Sequence, residues 1–232
     1  MTDTTTMEAL ARLIEIMSIL RSPNGCQWDR EQTPQSLKPY ILEETYELLD
    51  AIDHGNPAEI CDELGDLMLQ VIFQAQVFSE SGDFTIKDVA NAISNKLERR
   101  HPHIFATATH EGHQQRWENI KLQERAERGQ SNKLADRIPC TLPALKRAEK
   151  TAKKSQVTEL SIGTATITAE LDVLQRLTDT DGSNRAELEA AFGRLLFSVT
   201  ALAQAMGVDA EDSLRMTTSQ IIKKIDNSKE QL

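Results

Sequence analysis

Two acidic pairs, Glu44-x-x-Glu47 and Glu63-x-x-Asp66, carry the most legible chemistry in this sequence of 232 residues. Residues three apart share a helix face at about 3.6 residues per turn, so each pair can aim two carboxylates in one direction. The stretch from 48 to 62 between the pairs can hold one helix-to-helix turn. Four convergent carboxylates repel one another unless a cation joins them, and oxygen-only ligands favour magnesium or manganese over zinc or copper. Glu43 and Asp62 thicken the two clusters. Further on, Lys96, Arg99 and Arg100 form a basic patch, and guanidinium groups suit bidentate bonding to phosphate oxygens. A cation between carboxylates and a polyphosphate would screen their repulsion and withdraw charge from phosphorus.

Each piece has a plainer reading. Carboxylates on a helix commonly form a solvated face, and a basic helix end commonly answers the helix dipole. A di-iron bundle normally takes Glu-x-x-His from each of two helices, and neither acidic pair contains His. His101, His103, His110 and His113 suggest zinc only superficially, since no cysteine pair accompanies them. Trp28 and Trp117 suit either core anchors or stacking platforms for a base. The sequence has neither a Gly-x-x-x-x-Gly-Lys phosphate loop nor a Gly-x-Ser-x-Gly elbow.

The elements that must position these residues are helical throughout. Few glycines, prolines and aromatics, with apolar residues recurring at i, i+3 and i+4, predict an all-α protein. A first helix is expected over Met7 to Arg21, then a loop through Cys26 to Asp29. Pro39 kinks or delays the next helix, which carries Ile41, Leu42, Leu48, Leu49 and Ile52 and runs to Asp53. His54-Gly55-Asn56-Pro57 reads as stop and restart. The following helix should bury Leu64, Leu67, Met68, Val71, Ile72, Ala75 and Phe78. A helix from about Thr85 to Arg100 should turn Ile86, Val89, Ile93 and Leu97 inward, and Pro102 breaks it. Helical pattern resumes at Arg116 to Lys121, and Glu124 to Lys133 reads as an exposed linker. The expected domains are 1–130, a linker at 131–140, and 141–232.

The second half repeats the first. Aligning Gly65-Asp66-Leu67-Met68 with Gly193-Arg194-Leu195-Leu196 pairs Leu64 with Phe192, Val71 with Val199 and Ala75 with Ala203. The polar face diverges: Glu63 meets Ala191 and Asp66 meets Arg194, while a nearby alignment pairs Glu44 with Glu170 but Glu47 with Val173. The second copy keeps its apolar stripe and lacks the acid set.

A formal charge of −10 argues against sequence-independent binding of nucleic acid, which relies on a positive surface. Cys26, Cys61 and Cys140 are odd in number and lack CxxC spacing, which suits a reducing compartment. No basic leader or long apolar span is expected, so the sequence reads as cytoplasmic, without membrane association.

Several segments together resemble the MazG family of all-α nucleoside triphosphate pyrophosphatases. They are Asn24-Gly25-Cys26 with Trp28-Asp29, Tyr40 to Glu47, Glu63 to Leu67, Lys96 to His103, and Arg116 to Lys121, spanning roughly residues 8 to 125. The resemblance implies tandem MazG-like helical bundles, the second repeat degenerate over 141–232. It implies magnesium-dependent hydrolysis of nucleoside triphosphates between the α- and β-phosphates, with Mn2+ as a possible substitute, releasing monophosphate and pyrophosphate for nucleotide-pool sanitation. It also implies a homodimer. By position, Glu44, Glu47, Glu63 and Asp66 match metal ligands, and Lys96, Arg99 and Arg100 match the phosphate-binding segment. Trp117 and Lys121 match nucleotide-contacting positions, and Glu43 is the expected group for orienting or deprotonating water. The alternative is a non-catalytic nucleotide-binding sensor or interaction module, motivated by the decayed repeat.

Overall fold

The computed structural model describes residues 4–106, 113–155, 163–179 and 184–229, and gives side chains for all of these except 113–116 and 229. Regular structure among the described residues is helical, as the composition predicts. The chain divides into two compact units, Met1–Trp117 and Glu118–Leu232.

In the first unit, α1 (Thr4–Leu20) and α4 (Pro57–Glu80) pack together, and α3 (Lys38–His54) and α5 (Ile86–Arg100) each pack on α4. Met17, Leu37, Ile72 and Phe73 are fully buried at their junction, with Leu13, Ile14, Leu20, Tyr40, Leu69, Val77 and Ile86 around them. The short helix α2 (Gln27–Glu31) occupies the stretch where the sequence predicts a loop. Trp28 on α2 meets Tyr40 and Phe73 edge-on, at 5.8 and 6.4 Å between ring centroids, and so closes the core from outside. Gly25 permits that arrangement, because a Cβ there would sit 2.1 Å from the Leu20 carbonyl oxygen.

The helix boundaries near the acidic pairs follow local chemistry. The Thr33 and Ser36 backbone N–H groups each donate to the other's hydroxyl, at 2.9 and 3.1 Å, and this turn delays α3 until Lys38, with Pro39 in its first turn. Gly55, at φ 74°, ends α3 by donating to the Ala51 and Ile52 carbonyls. Asn56 then caps α4, its side-chain oxygen accepting from the Ala58 N–H at 3.1 Å, with Pro57 opening the helix. Thr85 opens α5 and is held by the Asp88 carboxylate, which accepts from the Thr85 N–H at 2.9 Å. Pro102 starts the short α6 (Pro102–Phe105), and α7 (His113–Glu127) follows the undescribed stretch.

Burial differs from the expected pattern on three helices. Ile72 and Ala75 are buried, but Leu64, Met68 and Val71 are 49, 43 and 46% exposed, and Leu42, Leu49, Ile52, Ile93 and Leu97 are also exposed. These helices are apolar on more than one side, and the unit supplies a partner for only one side.

The second unit contains the rest of α7, then α8 (Leu134–Arg137), α9 (Ala144–Ser155), α10 (Thr164–Thr178), α11 (Arg185–Ala205) and α12 (Ala210–Lys229). Helix α11 packs on α9, α10 and α12, and buries Ala191, Ser198, Thr200 and Ala201. Asn184 caps α11 as Asn56 caps α4, accepting from the N–H two residues on at 3.1 Å. Phe192, Leu196 and Val199, aligned with Leu64, Met68 and Val71, are 50, 53 and 44% exposed. Lys146 on α9 bonds Asp209 before α12, and Glu149 at 3.0 Å. The expected exposed linker is instead structured at its start: α7 continues to Glu127, and Glu124 is buried. Among the described residues, no single helix is long and apolar enough to cross a membrane.

Candidate active site

Helices α3 and α4 pack on each other, and the turn at Gly55 and Asn56 sets them side by side. That packing brings Glu44 of α3 to Glu63 and Asp66 of α4. One ligand oxygen from each lies within 4.8 Å of the others. Glu47 stands outside this set of three, exposed one turn along α3, yet close enough for its charge to act on both Glu44 and Glu63. Helical spacing fixes the face that a carboxylate shares, while its rotamer decides where the oxygen ends.

The electrostatics match this crowding. The Glu44 carboxyl is pushed up from its ordinary value, first by burial and then by Asp66, Glu47, Glu63 and Glu43. Glu63 is pushed up likewise, first by burial and then by Glu47, Asp66, Asp62 and Glu59. Glu59 escaped the sequence reading, although its spacing of four from Glu63 placed it on the same face. One oxygen of Glu63, Oε2, is sealed from solvent and has no hydrogen-bond partner. A buried acceptor in that state costs free energy that a cation would recover, so a hard divalent ion fits the donor set.

The basic residues sit on the last turns of α5, with Lys96 and Arg100 half-buried and Arg99 exposed. The Arg100 guanidinium lies over the Trp117 ring, 5.2 Å from its centroid, and His101 meets the same ring edge-on at 5.0 Å. His101 Nδ1 lies 2.7 Å from the Leu97 carbonyl, which anchors that ring to its own helix. His110 and the side chain of His113 lie outside the described residues. Lys121 belongs to the second unit and pairs with Glu118 at 2.7 Å. Glu43 is exposed beside Glu44 on α3.

At the aligned place in the second unit, Arg194 of α11 donates through Nε to both oxygens of Glu170 on α10, at 3.3 and 3.0 Å. The sequence alignment pairs these residues with Asp66 and Glu44. A guanidinium thus neutralises the carboxylate there, and Ala191 stands where the first unit has the half-buried Glu63.

Fold and site define an all-α protein whose carboxylates converge from two consecutive helices, with a basic helix end in the same unit. Residues 32–105 match the family model of the MazG nucleotide pyrophosphohydrolase domain. A nucleoside triphosphate pyrophosphohydrolase of Escherichia coli K12 is 41% identical over 227 residues, covering 94% of this chain and 86% of that protein. A nucleoside triphosphate pyrophosphohydrolase/pyrophosphatase MazG of Thermotoga maritima is 40% identical over 223 residues, covering 94% of this chain and 84% of that protein. The similarity therefore extends well beyond residues 32–105 and into the second unit. The chain belongs to the MazG family.

Proposed function

We propose that this protein hydrolyses nucleoside triphosphates between the α- and β-phosphates, yielding nucleoside monophosphate and pyrophosphate in nucleotide-pool sanitation. The observation that carries this reading is the convergence of Glu44, Glu63 and Asp66 within 4.8 Å around an unpartnered, buried Glu63 oxygen. The names of the relatives support the substrate class.

Glu44, Glu47, Glu63 and Asp66 would hold Mg2+, for which Mn2+ could substitute, and the ion would supply Lewis-acid polarisation of the phosphate oxygens. Lys96, Arg99 and Arg100 bind the phosphate chain, the arginines by paired N–H donors. Trp117 and Lys121 contact the nucleotide, with Arg100 already stacked on the indole. Glu43 orients the attacking water and accepts its proton as the oxygen bonds to phosphorus and pyrophosphate departs.

The protein acts as a cytoplasmic homodimer, without stable nucleic-acid or membrane binding. The exposed stripe Leu64, Met68 and Val71, next to the carboxylates on α4, is the surface a second copy covers. Residues 1–130 form the catalytic domain, 131–140 a linker, and 141–232 a degenerate repeat. The matching Asn56 and Asn184 caps and the Glu170–Arg194 pair support the reading of 141–232 as a degenerate repeat.

A panel of standard and modified nucleoside triphosphates, incubated with Mg2+ and followed by product identification, tests the reading. Monophosphate and pyrophosphate are expected, and Glu63→Ala should release neither. Tight nucleotide binding without turnover would instead make the protein a sensor.

A further inference from the structure

His101 stands at the junction of two helices, closing α5 and opening α6. It is tied twice to the Leu97 carbonyl, by its backbone N–H at 3.0 Å and by its ring nitrogen Nδ1 at 2.7 Å. A carbonyl oxygen only accepts, so Nδ1 carries the proton and donates, and this second bond sets the direction of the imidazole. Both bonds end on the last turn of α5, the turn that also carries Arg99 and Arg100.

The Trp117 indole comes from a different helix, α7, and belongs to the same unit. Its ring meets two groups from the end of α5. The Arg100 guanidinium lies 5.2 Å from its centroid, and the His101 imidazole stands 5.0 Å away with 70° between the planes. His103, on α6, packs against His101 at 5.6 Å between ring centroids. The two contacts on the indole differ in what they can hold. Arginine has a long flexible stem, so a guanidinium that turns to phosphate oxygens gives up its place over the ring. The imidazole is already fixed by its bond to Leu97. Edge-to-face pairs are directional, so a ring held on one side sets the position of the other.

We propose that His101 is a positioning residue: by fixing Trp117 relative to Arg99 and Arg100, it sets the spacing between the indole that stacks on the base and the cations that bind the phosphates of one nucleotide. The inference rests on the reading above, which assigns these three residues to a nucleoside triphosphate, and adds a residue that acts through Trp117 rather than on the substrate. A ligand with phosphates but no base therefore does not sense His101.

The test compares two ligands by calorimetry on the full-length protein with Mg2+. One is the α,β-methylene analogue of the triphosphate turned over fastest in the panel, which resists cleavage at that bridge; the other is inorganic tripolyphosphate, which has no base. His101→Ala should weaken the analogue roughly fivefold and leave tripolyphosphate within about twofold of the parent. His101→Asn, whose amide can still donate to the Leu97 carbonyl, should show the same selective loss, which separates the ring contact from the helix end. In a Trp28→Phe background Trp117 is the sole indole, and removing the imidazole should shift its fluorescence emission with no ligand present. The proposal is overturned if both variants bind the analogue as tightly as the parent, if they lose the two ligands equally, or if the Trp117 emission is unchanged. A panel without turnover overturns the reading of the site and this inference with it, whereas turnover in the parent together with parent-like variants overturns this inference alone.

Discussion

Arg21 donates through Nε and Nη2 to the two carboxylate oxygens of Glu80, both at 2.6 Å. Its third nitrogen, Nη1, donates to the Asp29 carbonyl and, at 3.3 Å, to that of Gln32, and the guanidinium lies 5.6 Å from the centre of the Phe73 ring. One side chain thus ties the end of α1 to the end of α4 and to the short α2, on the frame that carries Glu63 and Asp66.

This pair predicts a pH dependence. The Arg21 hydrogen bond comes first in holding the Glu80 carboxyl below its ordinary 4.5. The resulting stabilisation is complete above that value and is lost as pH falls through the lower, folded value. Glu80 is 39% exposed, so Glu80→Gln should cost only about 1 kcal/mol at neutral pH. Arg21→Ala strips several acceptors at once and should cost roughly 2–4 kcal/mol. Urea denaturation at neutral pH and near pH 3.5 checks both, and the Glu80→Gln deficit should shrink in acid.

The carboxylate cluster predicts the opposite sign. Burial and mutual repulsion raise the Glu44 and Glu63 carboxyls, so without metal they oppose folding above their raised values, and acid relieves the strain as pH falls through them. Magnesium should therefore raise the melting temperature more at pH 7.5 than at pH 5. Glu44→Gln should raise the metal-free melting point, by roughly 2–4 °C per kcal/mol relieved in a chain of this length, and abolish the response to magnesium. A thermal melt with and without the ion reads both effects; an unchanged magnesium response in Glu44→Gln would remove that residue from the site.

For the apolar stripe on α4, the proposed interface predicts that the parent should sediment as a dimer and Met68→Glu as a folded monomer. Met68 is 43% exposed, so the charge is tolerated in the single chain, whereas burial in an interface would cost several kcal/mol. Analytical ultracentrifugation decides, and a dimer that survives the substitution would move the interface elsewhere.

Arg100 over Trp117 predicts a change in substrate affinity. Arg100→Lys keeps the charge but loses the planar stack and the paired donors, so KM for the triphosphate should rise roughly tenfold with a smaller change in kcat. Steady-state kinetics across substrate concentration separates the two constants. An unaltered KM would leave the stack with a purely structural role.

Much of the site frame was legible because its signals are local. Gly55 stops one helix, Asn56 and Pro57 start the next, and three-residue spacing turns Glu63 and Asp66 to one face. Burial was less legible. Periodicity marks Leu64, Met68 and Val71 as apolar, but which side of α4 finds a partner depends on the placement of α1, α3 and α5.

The Glu170–Arg194 pair makes the two units differ in what they borrow from solution. The second unit's countercharge is covalently its own, whereas on the proposed reading the carboxylates of α3 and α4 would take theirs from an ion in solution. A chelator should therefore act on half of the chain. In hydrogen exchange it should quicken the amides around Glu44 and Glu63 while those around Glu170 and Arg194 keep their rates, so that the supply of divalent cation sets how firmly one half is held and leaves the other half indifferent.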